Sequence, residues 1–276
     1  MIPKKIHYCW FGRGQLNELA IKCIESWKKF CPDYEIIEWN EDNFDISCND
    51  YVKEAYEAKK WAFVTDYVRL YALYNFGGIY MDTDAELIGC IDNFLSNNAF
   101  SGFENDSQIS TAIMGSEKGN EWIETLLSYY DNRHFIKSDG SYDMTTNVVT
   151  ITELTEKSFN FACNGKMQTI DGVFTIYPKD YFCPKSFESG EIEITDNTVC
   201  IHHFNASWFT EKDKKNLEEF RSRERRRLRL HEQYGEEKGE KKYRRWEKVR
   251  RKYYYLRTYG LLHTIKIIIY KLLGKI

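Results

Sequence analysis

Lys5 to Phe11, apolar or aromatic after Lys5 except at His7, reads as a buried strand, and Gly12-Arg13-Gly14 turns the chain into a helical period from Leu16 to Phe30. A second strand is expected over Tyr34 to Trp39, after Cys31-Pro32-Asp33 and before Asn40-Glu41-Asp42-Asn43. Strand, glycine turn, helix and strand in this order are how a nucleotide-binding α/β unit opens. Residues 51–60 predict a short polar helix, and 61–76 a buried one with Val64, Tyr67 or Val68, Tyr71 and Tyr74 at helical spacing. Asn75-Phe76-Gly77-Gly78 stops that helix, and Ile79-Tyr80-Met81 predicts a short strand running directly into Asp82-Thr83-Asp84. Further on, the pattern predicts a strand over Ala99 to Phe103, helices over Glu121 to Tyr130 and Asn147 to Thr155, and strands over Val173 to Tyr177 and Thr198 to His202.

From Glu211 the composition shifts to long charged runs of helix-forming residues, and charge divides with it. Residues 210–276 hold 22 of the 39 Lys and Arg but 10 of the 42 Asp and Glu, a net charge of +12 against −15 for residues 1–209. The expected organisation is therefore a catalytic-sized domain over residues 1–209 and a basic helical tail over 210–276. The whole chain, 276 residues at 42% hydrophobic and 16% aromatic, has enough apolar material for a full core, which excludes a disordered chain. No Cys-x-x-Cys pair occurs among the 8 cysteines, so core thiols are expected rather than a zinc site or disulfide framework. The opening Met-Ile-Pro-Lys-Lys is not followed by a leader-like apolar stretch, and no apolar run approaches bilayer length. The expected location is cytoplasmic and peripheral on the inner face of the cell membrane, because Tyr259 to Ile276 interleaves Leu and Ile with Lys as an amphipathic basic helix would.

Asp82 and Asp84 stand one residue apart at a predicted strand end, where alternation puts both carboxylates on one side. Such a pair suits Mn2+ or Mg2+ shared with a diphosphate, the cation acting as Lewis acid for the leaving group, although most Asp-x-Asp pairs are solvated turn carboxylates. Asp66 and Arg69, three apart on the buried helix, suit sugar hydroxyls and phosphate, or equally a structural ion pair.

The stretch from Lys60 to Asp84, a helix followed by Gly77-Gly78, a strand and Asp82-Thr83-Asp84, resembles the signature of glycosyltransferase family 32, and more distantly the glucosyltransferase domains of large clostridial toxins. The opening Ile2 to Gly12 is similar to that family's first strand, and His202-His203-Phe204-Asn205-Ala206-Ser207-Trp208 to its C-terminal His-rich segment; the likeness covers residues 1 to about 209. It implies an α/β fold of the GT-A type, Rossmann-like, and metal-dependent, retaining hexose transfer from a nucleotide sugar, a UDP-sugar by analogy. Glycan or lipid-linked saccharide acceptors in capsular or other surface polysaccharide synthesis are implied with it. By the same likeness Trp10 stacks on the base, Asp66 and Arg69 hold the donor sugar, and Tyr80 lies against the nucleotide. Asp82 contacts donor and metal, Asp84 is the principal metal ligand, and Arg69 helps the cation stabilise the departing diphosphate. Asn205, Ser207 and either His203 or His202 complete the metal shell, and Trp208 touches the diphosphate.

Two other functions use the same residues differently. A nucleic-acid or polyanion binder would work through the basic tail and leave Asp82 and Asp84 dispensable, whereas a metal-dependent nucleotide-sugar hydrolase would use the donor site without an acceptor. The transferase ranks first, with nucleic acid not expected as a partner.

Overall fold

The computed structural model describes residues 1–206, 209–251, 253 and 254. In chain order it contains β1 (Lys5–Cys9), α1 (Glu18–Phe30), β2 (Glu35–Trp39), α2 (Asp50–Glu57), α3 (Trp61–Phe76), β3 (Gly78–Met81) and β4 (Ala85–Leu87). There follow β5 (Ala99–Asn105), β6 (Gln108–Ile109), β7 (Ile113–Ser116), α4 (Glu121–Ser128), α5 (Asn147–Ser158), β8 (Gln168–Ile170), β9 (Phe174–Tyr177), α6 (Lys179–Phe182), β10 (Cys200–His202) and α7 (Glu211–Tyr234). The main sheet runs β2-β1-β3-β7-β5-β9-β8, with β6 on β5, and β10 pairs with β4 apart from it. Its first three strands are parallel, as the predicted opening requires, and β7 then enters antiparallel between β3 and β5. The α/β, Rossmann-like expectation holds for the parallel opening, with a sheet that is mixed beyond β3.

Two apolar layers cover the two faces of this sheet. Ile6 and Tyr8 of β1, with Ile79 and Met81 of β3, join a cluster around Trp27 and Cys23 of α1. The alternating residues Cys9 and Tyr80 join the other cluster, with Val64, Val68 and Leu73 of α3 and Trp122 of α4. Burial on both faces is why β3 reads as an unbroken apolar run and β1, after Lys5, as one interrupted only by His7, instead of alternating ones. α3 carries the same logic, since Phe63, Val64, Val68, Leu70, Ala72 and Leu73 are buried on more than one side of the helix, so the single face expected from sequence is too narrow. Of the thiols, Cys9, Cys23, Cys31, Cys183 and Cys200 are buried as expected, Cys163 is half-buried, Cys48 and Cys90 are exposed, and all are free.

Gly77 and Gly78 shape the step from α3 to β3. Both have positive φ, +64° and +111°, and a Cβ on Gly78 would sit 2.9 Å from the Lys5 carbonyl and 3.0 Å from His7 Nε2. His7 fastens the same step. The Trp39 indole N–H donates to its Nδ1 (3.1 Å), which leaves Nε2 as the protonated nitrogen, donating to the Gly77 carbonyl at 2.8 Å. One buried neutral imidazole thus ties β2, β1 and the glycine turn together, and burial pushes its pKa down.

The chain divides into two compact units. Residues Met1–Ser186 with Glu191–Thr210 form one, and Phe187–Gly190 with Glu211–Ile276 the other. In the second, the Phe187 and Ser189 carbonyls accept from Arg221 Nε (3.0 Å) and Arg225 Nη1 (2.8 Å), which attaches that short segment to α7. No helix among the described residues is long and apolar enough to cross a membrane. The amphipathic segment expected over Tyr259 to Ile276 lies outside the described residues.

Gly78→Ala forces a methyl group into the Lys5 carbonyl at a backbone angle that L-residues avoid, and is expected to lower unfolding free energy by about 2 kcal/mol. Denaturant melts check this. Below pH 6.5 the unfolded chain takes up a proton at His7 that the folded chain resists, so the stability His7 contributes is present above that pH and is lost as pH falls towards the lowered folded value. Melts of His7→Gln across this range should lack that part of the slope.

Candidate metal centre

Asp82 directly follows β3, where its N–H donates to the Ala112 carbonyl at 2.8 Å. The chain then turns, with the Ala85 N–H returning to the Asp82 carbonyl at 2.9 Å before β4 begins. The two carboxylates therefore converge through a tight turn, and the strand alternation inferred from sequence is not the cause. β4 is the element that brings in the third group, because its antiparallel register sets His202 opposite Ala85. The oxygens of Asp82 and Asp84 and a ring nitrogen of His202 lie within 4.8 Å of one another. His202 Nε2 is 3.5 Å from Asp84 Oδ1.

The main chain secures Asp84 from the other side. Its carbonyl accepts from the His203 N–H (2.9 Å) and its Oδ2 from the Asn205 N–H (2.7 Å). Burial alone would raise the Asp84 pKa, but the charge and hydrogen bond of His202, with the Asn205 N–H, outweigh it and hold the carboxyl down at about 2. His202 is pushed up by the same pairing, against a burial effect that would lower it. Its Nδ1 is buried and finds no hydrogen-bond partner. Among the histidines expected near the metal, His202 is thus the one facing the carboxylates, while His203 Nε2 turns to Glu86 at 2.7 Å, which also accepts from Lys22 at 2.7 Å. Asn205 serves Asp84 through its backbone.

Beneath the turn lies a buried cation. Arg69 Nη1 donates to the Thr111 carbonyl at 2.8 Å, Nε to the Thr65 carbonyl at 3.3 Å, and Nη2 stands 3.3 Å from both Asp66 Oδ1 and Asp82 Oδ1. Its guanidinium lies over the Tyr80 ring at 4.6 Å, and the Tyr80 hydroxyl donates to Asp82 Oδ1 at 2.9 Å. Asp66 is driven up to about 7 by burial, a rise the Arg69 charge reduces and the Asp82 charge increases. The Arg69 and Asp66 side chains, 5% and 10% exposed, pair with each other here instead of standing open at the surface. Tyr80, 2% exposed, likewise supports Asp82 and does not line an open nucleotide face. The physical reason is the packing of α3, which buries the side of the helix that carries Asp66 and Arg69.

Trp10 follows β1 as Asp82 follows β3, so the two leave neighbouring parallel strands at the same, carboxyl-terminal edge of the sheet. Its indole N–H donates to the Gly14 carbonyl at 2.7 Å, drawing the glycine loop to the edge of the ring. Ser207 and Trp208 lie outside the described residues. Sequence reasoning missed Thr111, whose carbonyl fixes Arg69 from a segment with no motif, and Glu86, whose spacing from Asp84 was the only signal.

Hard carboxylate oxygens with one imidazole nitrogen suit Mn2+ well, and the buried, unpartnered Nδ1 leaves Nε2 as the nitrogen aimed at the carboxylates. The donor set therefore fits a divalent cation.

Residues 17–101 match the family described as glycosyltransferase sugar-binding region containing DXD motif, and both Asp82 and Asp84 fall within that match. The chain is 30% identical over 146 residues to inositol phosphoceramide mannosyltransferase 3 of Schizosaccharomyces pombe, a match covering 49% of this chain and 40% of the relative. The chain therefore spans about two fifths of the length of that relative. Two solved glycosyltransferases resemble it weakly. PaToxG glycosyltransferase has a TM-score of 0.43 at 16% identity, covering 58% of this chain and 70% of that one. A glycosyltransferase involved in glycosylation of the major capsid of PBCV-1 has 0.44 at 13%, covering 77% and 98%. The resemblance to DXD-containing glycosyltransferases is thus found again at the level of the matched region.

Replacing Arg69 with Met leaves the buried Asp66 and the half-buried Asp82 without their cation, and is expected to destabilise the protein by about 3 kcal/mol. His202→Ala removes the histidine of the candidate metal cluster, so Mn2+ affinity read by calorimetry should fall at least about 10-fold, while His203→Ala should change it less.

Proposed function

We infer that this chain, which carries a DXD-containing glycosyltransferase sugar-binding region, transfers a hexose from a nucleotide diphosphate sugar, a UDP-sugar, with retention of configuration. The observation that carries this reading is the convergence of Asp82, Asp84 and His202 at the carboxyl-terminal edge of the parallel strands, inside and beside the matched region. Asp84, Asp82 and His202 would hold Mn2+ or Mg2+, with Ser207 as a further ligand. A divalent ion bound there supplies positive charge for the developing nucleoside diphosphate.

The chain's own residues do the positioning. Tyr80 and Arg69 hold the Asp82 carboxylate in one orientation, so no rearrangement is needed when charge develops beside it. The Asn205 N–H does the same for Asp84 Oδ2. Trp10, at the same edge, offers a flat apolar face for the base at low entropic cost, and Trp208 the diphosphate contact. No protein nucleophile is required for departure of the leaving group.

The acceptor in this reading is a glycan or lipid-linked saccharide of a surface polysaccharide such as a capsule, met at the cytoplasmic face of an anionic membrane. Support comes from the basic tail, and from a relative whose name assigns it transfer to a lipid, inositol phosphoceramide.

The test is nucleoside diphosphate release from a panel of UDP- and GDP-sugars, with Mn2+ or with chelator, with and without acceptor glycans. Release should need the metal, rise with an acceptor, and fall about 100-fold or more in Asp84→Ala. Chelator-insensitive release would overturn the metal reading, and full release that ignores acceptors would make the enzyme a hydrolase. The anomeric configuration of the product, read by NMR, decides retention.

A further inference from the structure

In the second unit the helix over residues 236–251 sorts its charges by side. Gly239 is buried against α7, where a Cβ would lie 2.6 Å from the Leu230 carbonyl, so the side bearing Gly239, Tyr243, Trp246 and Arg250 faces that helix. The carboxylates gather there. Glu240 accepts from Arg227 and Arg244, each at 2.9 Å, and meets His231 at 3.2 Å, while Glu247 meets Arg250 at 3.1 Å and Arg223 at 3.9 Å. Trp246 is taken up as well, with the Arg226 guanidinium 4.6 Å from its ring and that of Arg250 6.0 Å.

The opposite side is of one sign. Lys238, Lys241, Lys242, Arg245 and Lys248 recur at helical spacing, all exposed, with Val249, 65% exposed, among them. The carboxylate that reaches this row, Glu237, does so from its edge, pairing with Lys241 at 2.7 Å. Over ten residues the row is about 15 Å long. Exposed Tyr253 and Tyr254 follow it, and the sequence continues into Leu261, Leu262, Ile265, Ile268, Ile269, Leu272 and Leu273 interleaved with Lys266, Lys271 and Lys275.

We propose that the Lys238–Lys248 face of this helix docks on an anionic lipid bilayer, its cations meeting lipid phosphates and Val249 entering the interface. This deepens the membrane location proposed above and rests on it, but not on the transfer chemistry. A straight row of exposed cations matches a flat sheet of phosphates, and their attraction reaches only about a Debye length, so the cations must themselves lie at the surface. Lysine stems lie along an interface while their ammonium groups stay with the headgroups. Single-stranded nucleic acid fits less well, because its bases need aromatic faces alongside the cations, whereas the Trp246 ring is occupied by arginines and the exposed Tyr253 and Tyr254 come only after the row has ended.

The experiment uses the full chain with phosphatidylcholine vesicles, with and without phosphatidylglycerol, read by co-sedimentation. Wild type should bind the anionic vesicles only, and less as salt rises. Lys241→Glu with Arg245→Glu and Lys248→Glu should weaken binding about 100-fold. Lys28→Glu with Lys29→Glu and Lys53→Glu, an equal charge change on the other unit, should stay within about threefold of wild type. Equal loss in both triple variants would overturn the proposal, as would wild-type binding to single-stranded DNA as tight as to anionic vesicles. Circular dichroism checks that the helices persist, and nucleoside diphosphate release with a soluble acceptor is followed in parallel. Lost sedimentation with unchanged release locates the defect in docking, whereas absent release in a wild type that sediments counts against the transferase alone.

Discussion

The guanidinium of Arg69 is nearly buried, faces two carboxylates from different elements, and is the charge around which the site is assembled. Asp66 comes from its own helix and Asp82 from the end of β3, so one cation fixes the distance between α3 and the sheet edge. A buried cation is tolerated only when its donors are satisfied, and the Thr65 and Thr111 carbonyls complete that set.

Above that anchor, the convergence at Asp82, Asp84 and His202 depends on two small pieces of backbone. The turn after β3 brings the aspartates together, and the two-stranded β4–β10 ladder imports a residue more than a hundred positions away. His7 and the two glycines act one step earlier, holding β3 close to β1, so that Trp10 and Asp82 emerge side by side. The same design appears in the tail unit in simpler form: Glu240 and Glu247 collect the inward cations of the helix pair, which leaves Glu237, at the edge, as the carboxylate that meets the outward row.

Much of this was legible in the residues. The apolar run at Lys5–Cys9, the glycine turn and the helix after it gave the parallel opening, and the α3-Gly-Gly-β3-Asp-x-Asp stretch gave the aspartate pair. β7 was not legible. Ile113–Ser116 is four buried residues including a glycine, with no alternation to mark a strand, yet Gly115 is needed because a Cβ there would meet the Phe100 ring at 2.1 Å. Three-residue β4 and two-residue β6 are shorter than any periodicity can reveal.

By itself the sequence determined the α/β fold class, the aspartate pair and the opposed charges of body and tail, because these follow from local pattern and composition. Only the tertiary structure decided which histidine faces the aspartates and that Arg69 and Tyr80 support Asp82 from inside. Those choices turn on register and burial: adjacent residues such as His202 and His203 carry the same chemistry, and antiparallel pairing with β4 sends one to the cluster and the other to Glu86.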